Sequence, residues 1–208
     1  MNSLKKQPNQ PRSFALLDSI LESTSKLMLS LGYKNTTTNK IADKAGVSIG
    51  SIYQYFKDKD SVALTLFDKI INDNGDSFQK KLLEQPDLSL NEKLDVLIEH
   101  IVDMFIEKKP ILDLLFSYAP RFQTSQLVVR SRVKAIQSIA TLLSAHAEEL
   151  AGQDASLASE VIVNAIMGVI HWHILNHQSQ LNRESLIREL RALAKRYILK
   201  PVESAVID

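Results

Sequence analysis

Apolar side chains recur along this chain at intervals of three and four residues, and no stretch sustains the alternation of a half-buried strand. The pattern predicts helices throughout. A first helix is expected from about Ser13 to Leu31, with Phe14, Leu17, Leu21, Met28 and Leu31 as its apolar stripe, Ile20 and Leu27 beside them, and Asp18, Glu22 and Lys26 outside. Gly32 is placed to end it. Two short helices follow, about Thr38–Ala45 and Ser48–Tyr55, parted by Gly46. A long one then begins near Asp58 and runs to about Glu84, with a bend expected around Asn72–Asp76, where Asn74-Gly75 is a local breaker. Leu90–Lys108 carries the stripe Leu94, Leu97, Ile98, Ile101, Val102 and Phe105. Pro110 suits the first turn of a separate short helix, Ile111–Tyr118. The remaining helices are expected at about Ser125–Leu150, Asp154–His177 and Arg183–Leu199, which makes nine in all. The fold class is all-α, with three short N-terminal helices and six longer C-terminal ones.

The stretch Thr36–Val62, TTTNKIADKAGVSIGSIYQYFKDKDSV, reads as a helix-turn-helix on physical grounds. Thr38 is placed to cap the first short helix through its hydroxyl. Ile41 and Ala45 point to a core, and Ala42 is small where two helices cross. Gly46 occupies the turn, where a positive φ costs other residues more. Val47 and Ile52 anchor the second helix and Phe56 closes the apolar unit. That leaves Ser48, Ile49, Gly50, Ser51, Gln54 and one or both of the two tyrosines available outward. Ser48 caps the second helix, and its small neighbours let the backbone approach phosphates and base edges. Gln54 matches a base edge, with adenine the favoured partner, and Tyr53 and Tyr55 offer hydroxyls to phosphate or a ring to a thymine methyl. Lys59, just past the helix, is placed for phosphate. Tyr53 also fits a core role, as Phe56 does more plainly.

Composition narrows the function classes. With no cysteine among 208 residues, disulfides, thiolate metal sites and thiol nucleophiles are excluded. No nucleophile–base pair, glycine-rich phosphate loop or metal cluster stands out, so an enzyme is not expected, and neither is a cofactor. The net charge of +1 hides a division. Residues 1–60 hold nine Lys/Arg against five Asp/Glu, and the remainder sixteen against nineteen. A basic head on an acidic body suits a protein that presents one end to a polyanion. The chain reads as cytoplasmic: no apolar run is expected to span a bilayer, and the polar start lacks a signal-peptide core.

Gly32-Tyr33, Thr36-Thr37-Thr38, Ile41-Ala42, Ala45-Gly46-Val47-Ser48, Gly50-Ser51, Ile52-Tyr53, Tyr55-Phe56 and Lys59, in that order, resemble the DNA-binding signature of the TetR family of bacterial transcriptional regulators. The resemblance covers roughly the first 60 residues, and beyond them it is architectural. Residues 1–12, polar with Lys5, Lys6, Pro8 and Pro11, read as a flexible basic arm, and the resemblance implies 13–57 as the helix-turn-helix domain and 58–208 as a ligand-binding and dimerisation domain. It further implies a homodimer on a palindromic double-stranded DNA operator, acting as a repressor released by an unknown small-molecule effector. The alternative is a regulator or activator answering to a protein partner. Carried over by position, the DNA contacts are Thr37, Thr38, Ser48, Ile49, Gly50, Ser51, Tyr53, Gln54, Tyr55 and Lys59. Ile49 stands where a variable or basic residue is usual, which removes one candidate guanine contact.

In the body, Leu157, Val161, Ala165, Ile166, Val169 and Ile170 form one apolar face and Leu186, Leu190, Leu193 and Tyr197 another. Two such helices per subunit suit a four-helix interface about a two-fold axis, and also suit the core of a monomer. Phe78, Leu97, His100, Met104, Phe105, Phe116, Tyr118 and Phe122 are the candidate ligand lining, or simply core. His171, His173 and His177 do not make a metal site: the first two point about 200° apart on a helix, and no acidic residue completes a shell for the others.

Overall fold

The computed structural model describes residues 4–117, 126–175 and 182–201. Among them are eight α-helices: α1 Pro11–Asn35, α2 Thr38–Ala45, α3 Ile49–Tyr55, α4 Lys59–Leu83, α5 Leu90–Ser117, α6 Gln126–Ser144, α7 Ala155–Leu175 and α8 Arg183–Ile198. A 3₁₀ turn, Ala147–Glu149, lies between α6 and α7. The all-α fold expected from the spacing is what forms. The chain folds as two compact units, residues 1–73 with 107–131, and residues 74–106 with 132–208.

In the first unit, α1 buries Leu17, Ile20, Leu21, Thr24 and Met28, a stripe at helical spacing. Phe14 and Leu31, assigned to that stripe from the sequence, are 54% and 40% exposed. Gly32 takes φ 74, ψ 162, a region open essentially to glycine, and one more turn of helix follows it to Asn35. Tyr33 is thereby turned inward. Ahead of α1, Lys5 is tied to the end of α3, and Gln10 closes a capping box with Ser13.

α4 continues as helix through the local breaker Asn74-Gly75. Pro110 likewise does not divide two helices but lies inside α5, so five α-helices follow α3 among the described residues where six were expected. The break is suppressed because burial continues past it. Ile111, Leu112, Leu115 and Phe116 are all buried, and Phe116 packs edge-on against Phe67 at 5.6 Å. A proline there lacks the N–H that would bond Ile106, and its ring crowds the preceding turn. Pro110→Ala is therefore expected to stabilise the protein by about 1 kcal/mol or more, read as a raised urea midpoint at unchanged slope.

In the second unit, α5 presents Asp95, Glu99 and Asp103, one turn apart, to a basic row on α8. Arg191 pairs with Asp95 at 3.0 Å and Glu99 at 2.8 Å, Lys195 with Asp95 at 2.7 Å, and Arg183 with Asp103 at 2.6 Å. The Arg183 guanidinium holds the Asp103 carboxyl below its ordinary range. α6 stops at Ser144, six residues earlier than the apolar pattern suggested. There His146 bridges Lys93 and Glu149, at 3.0 and 2.7 Å, and Leu150 leaves the helix to form a single antiparallel bridge with Leu199.

α7 corrects two expectations. Its stretch Ala155–His173 is long and apolar enough to cross a membrane by length and composition, since Glu160 is its one formal charge and Asn164 and the histidines dilute the run only slightly. The six apolar residues assigned to a single face are also divided. Ile166 and Ile170 are buried together with Ala158 and Ile162, while Leu157, Val161 and Val169 stand exposed with Trp172.

Candidate nucleic-acid interface

The interface is built from the junction of α2 and α3. Thr37, not Thr38, caps α2: its hydroxyl oxygen accepts from the Lys40 N–H at 3.3 Å. Thr38 is the first helical residue, and its hydroxyl instead lies 3.2 Å from that of Tyr53. Ile41 and Ala42 are buried. Gly46 ends α2 at φ 67, ψ 32, left-handed backbone that a Cβ would strain, and the Val47 N–H returns to Ala42 O at 3.0 Å. From α1, the Ser19 hydroxyl donates to Ala45 O at 3.3 Å and fixes the corner from below.

Ser48 caps α3, accepting from the Ser51 N–H at 3.1 Å while the two hydroxyls lie 2.9 Å apart. Helical periodicity then sorts the side chains. Ile52, Tyr55 and Phe56 are buried, whereas Ile49, Gly50, Tyr53 and Gln54, at positions i, i+1, i+4 and i+5, are exposed on one face. Tyr55 is a correction: at 5% exposed it lies one turn from Ile52 on the inner face and does not offer its ring outward. The motif position suggested an outward tyrosine, but the 3.6-residue period puts residues 52, 55 and 56 on the same side.

Lys59 also differs from a simple exposed cation. Its ammonium donates to Tyr33 O at 2.7 Å and sits 4.3 Å from the centre of the Tyr33 ring. Partial burial there lowers its pKa, against the opposing pull of neighbouring Asp60. The Tyr33 hydroxyl donates to Asp60, so the start of α4 is fastened to the turn after Gly32. Ser61 and Asp58 close the α3–α4 corner, with the Ser61 N–H donating to Asp58 Oδ1 at 2.8 Å. Neither the Lys59–Tyr33 contact nor the Lys5 bonds to α3 were anticipated. Both are long-range bonds to backbone carbonyls, which leave no periodic signal.

The surface so formed holds hydroxyls, an amide and a glycine, and no acidic side chain interrupts the sequence between Ala45 and Lys57. It has the chemistry of a face that approaches phosphates and base edges.

The expected ligand lining is not brought together as a whole. Leu97, His100, Met104 and Phe105 are buried in the second unit and Phe78 is half-buried there, its ring 5.8 Å from that of His100. His100 Nε2 lies 3.0 Å from Asn74 O. Phe116 belongs to the first unit, and Tyr118 and Phe122 lie outside the described residues. A surface cleft of about 280 Å³ does occur in the second unit, but Glu99, Arg183, Glu184, Ile187, Arg188 and Arg191 line it, and none of the expected residues does. Among the described residues no three His, Asp or Glu side chains are grouped to hold a metal, and His177 lies outside them.

Known proteins resemble this chain in family and fold. Residues 20–66 match the family described as "Bacterial regulatory proteins, tetR family", and residues 89–198 match "Tetracyclin repressor-like, C-terminal domain". The chain is 29% identical over 104 residues to the uncharacterized HTH-type transcriptional regulator YvkB of Bacillus subtilis, a match covering 50% of this chain and 52% of that one. It is 23% identical over 174 residues to the fatty acid metabolism regulator protein of the same organism, covering 81% and 87%. Of solved structures, a TetR-family regulator from Mesorhizobium loti superposes with a TM-score of 0.70 at 18% identity, over 90% of this chain and 96% of that one. A transcriptional regulator from Saccharomonospora viridis in complex with choline gives 0.66 at 17%, over 89% and 98%. At such identities these structures speak to the fold.

Proposed function

The chain belongs to the TetR family of DNA-binding transcriptional regulators, and from that premise we propose that it is a cytoplasmic homodimeric repressor that reads a palindromic operator and leaves it when a small molecule binds. The observation that carries the reading is the outward face of α3, where Ile49, Gly50, Tyr53 and Gln54 are exposed beside the capped N-terminus at Ser48. In this reading Gln54 and Tyr53 touch base edges. Ser48, Gly50, Ser51 and the Ile49 backbone make the close approach. Thr37, Thr38 and Lys59 meet phosphate. The effector is taken up among Phe78, Leu97, His100, Met104 and Phe105, where His100 supplies the polar group.

Selection of binding sites from random duplex DNA, followed by a salt titration of the best one, tests this reading. The expected result is two inverted half-sites and a steep salt dependence. Tyr53→Ala is expected to weaken that site by about 1–3 kcal/mol, roughly 5- to 150-fold, with little change on unrelated DNA. Lys59→Ala is expected to weaken both alike. No enriched sequence would overturn the reading. For the effector, release of the labelled operator is followed across a panel that includes fatty acids and choline, since a relative is named for fatty acid metabolism and a structural neighbour holds choline. Release by none of the panel would favour control by a protein partner.

A further inference from the structure

The operator reading makes no use of the residues ahead of α1. The Lys5 backbone N–H donates to Tyr55 O at 2.8 Å and its ammonium to Tyr53 O at 3.3 Å. Both carbonyls belong to the last turn of α3, where a helix has no N–H groups of its own to bond them. Five residues on, the Gln10 N–H donates to Ser13 Oγ at 3.1 Å and the Ser13 hydroxyl returns to Gln10 O at 2.7 Å. Residues 5–10 therefore form a strap fixed at both ends, on α3 and on α1. Residues 1–12 include Lys5, Lys6 and Arg12 and no acidic residue. Lys6 is exposed, one residue beyond an anchor on Tyr53, whose own ring stands on the outward face of α3.

We propose that this strap is a second DNA-contacting element, which holds Lys6 against the phosphate backbone flanking the half-site that α3 faces. The inference rests on the operator reading and extends it to a segment outside the helix-turn-helix. A loose arm would lose conformational freedom on reaching DNA. Here the two bonds from Lys5, and the fixed φ of Pro8 and Pro11, impose that order before DNA arrives. Capping α3 alone would need only Lys5. It gives no reason for a cation at the next position.

The test compares the full-length protein with Lys6→Ala and Lys6→Glu on a fluorescein-labelled duplex carrying the selected site and natural-length flanks. Each lost phosphate contact is expected to flatten the plot of log affinity against log salt by about 0.9, which at ~0.15 M salt is a loss of about fivefold per arm. The thermal midpoint should be unchanged, because Lys6 is exposed. A methylphosphonate scan of the flank should find one position that weakens the unaltered protein and not Lys6→Ala. Unchanged slope and affinity in both variants, with the unaltered protein binding its site, would overturn the strap contact alone. Absence of site-specific binding by the unaltered protein would overturn the operator reading with it.

Discussion

Gly50→Ala is expected to make the protein more stable and its operator complex weaker, two effects of opposite sign from one methyl group. Gly50 lies in the first turn of α3 with ordinary helical backbone, for positive φ is confined among the described glycines to Gly32, Gly46 and Gly152. A Cβ built at Gly50 would meet nothing nearer than Ser48 Oγ at 3.6 Å, an ordinary contact. Nothing within the chain therefore requires glycine, and in a helix it is less favourable than alanine by up to about 1 kcal/mol. Removing that cost is expected to raise the melting midpoint by about 2–4 °C. The glycine makes sense if the missing Cβ is the point of closest approach to DNA, between the Ser48 cap and Tyr53. A methyl there would hold the helix off the groove and lengthen several contacts together, each worth about 1–3 kcal/mol. The affinity of the selected operator should fall at least about tenfold. Thermal melts and anisotropy titrations of the same preparation read both quantities. Higher stability with undiminished affinity would show that α3 meets DNA by another face.

The elements legible in the sequence are those ended by local chemistry. Gly46, Ser48 and Asn182 each close or open a helix with groups no more than a few residues away, and the helices they bound lie where the pattern puts them. What the sequence does not disclose depends on groups far apart in the chain. Pro110 looks like a boundary until the burial of Ile111, Leu112 and Leu115 is known, since that tertiary burial outweighs the local penalty. The choice between Thr37 and Thr38 as cap turns on one residue of backbone conformation, with two identical side chains to choose from. For Tyr55, motif resemblance and periodicity point opposite ways, and the helical period, which buries it with Ile52, is the one the fold obeys. Lys59 reads as a surface cation because the turn after Gly32, which delivers the Tyr33 carbonyl to it, has no counterpart in the pattern of apolar positions. For the candidate DNA-facing residues, then, the sequence identifies the helix, and the fold decides which of its side chains face outward.

The largest expected effect is on assembly: Val161→Asp should convert a dimer into a monomer and reduce operator binding to that of one half-site. Leu157, Val161, Val169 and Trp172 recur on one side of α7 and are 60%, 43%, 36% and 67% exposed in the single chain. Ala165 and Gly168 lie among them, and a Cβ at Gly168 would meet nothing within 4 Å. A helix glycine that the chain itself does not need suits a second helix packed close at that point. Leu193, 43% exposed on α8, offers further apolar surface in the same unit. An apolar strip of this kind left in water is unfavourable by about 25 cal/mol for each Å² that a partner would cover. In the homodimer proposed above, a second copy of the chain, with the same strip, would cover it by a two-fold contact. The aspartate would bring an unpaired charge, and its symmetry mate, into that contact at a cost of several kcal/mol, so dimer dissociation should rise by at least about a thousandfold. Because Val161 is exposed in the isolated chain, the helical circular dichroism of the subunit should be kept. Sedimentation velocity distinguishes the outcomes: a shift to monomer with loss of two-site binding supports the interface, and an unaltered dimer places it elsewhere. The same variant separates assembly from the other use that an apolar α7 allows. If this helix entered a bilayer, the unaltered protein would co-sediment with lipid vesicles and the aspartate would release it. The dimer reading predicts no vesicle binding by either.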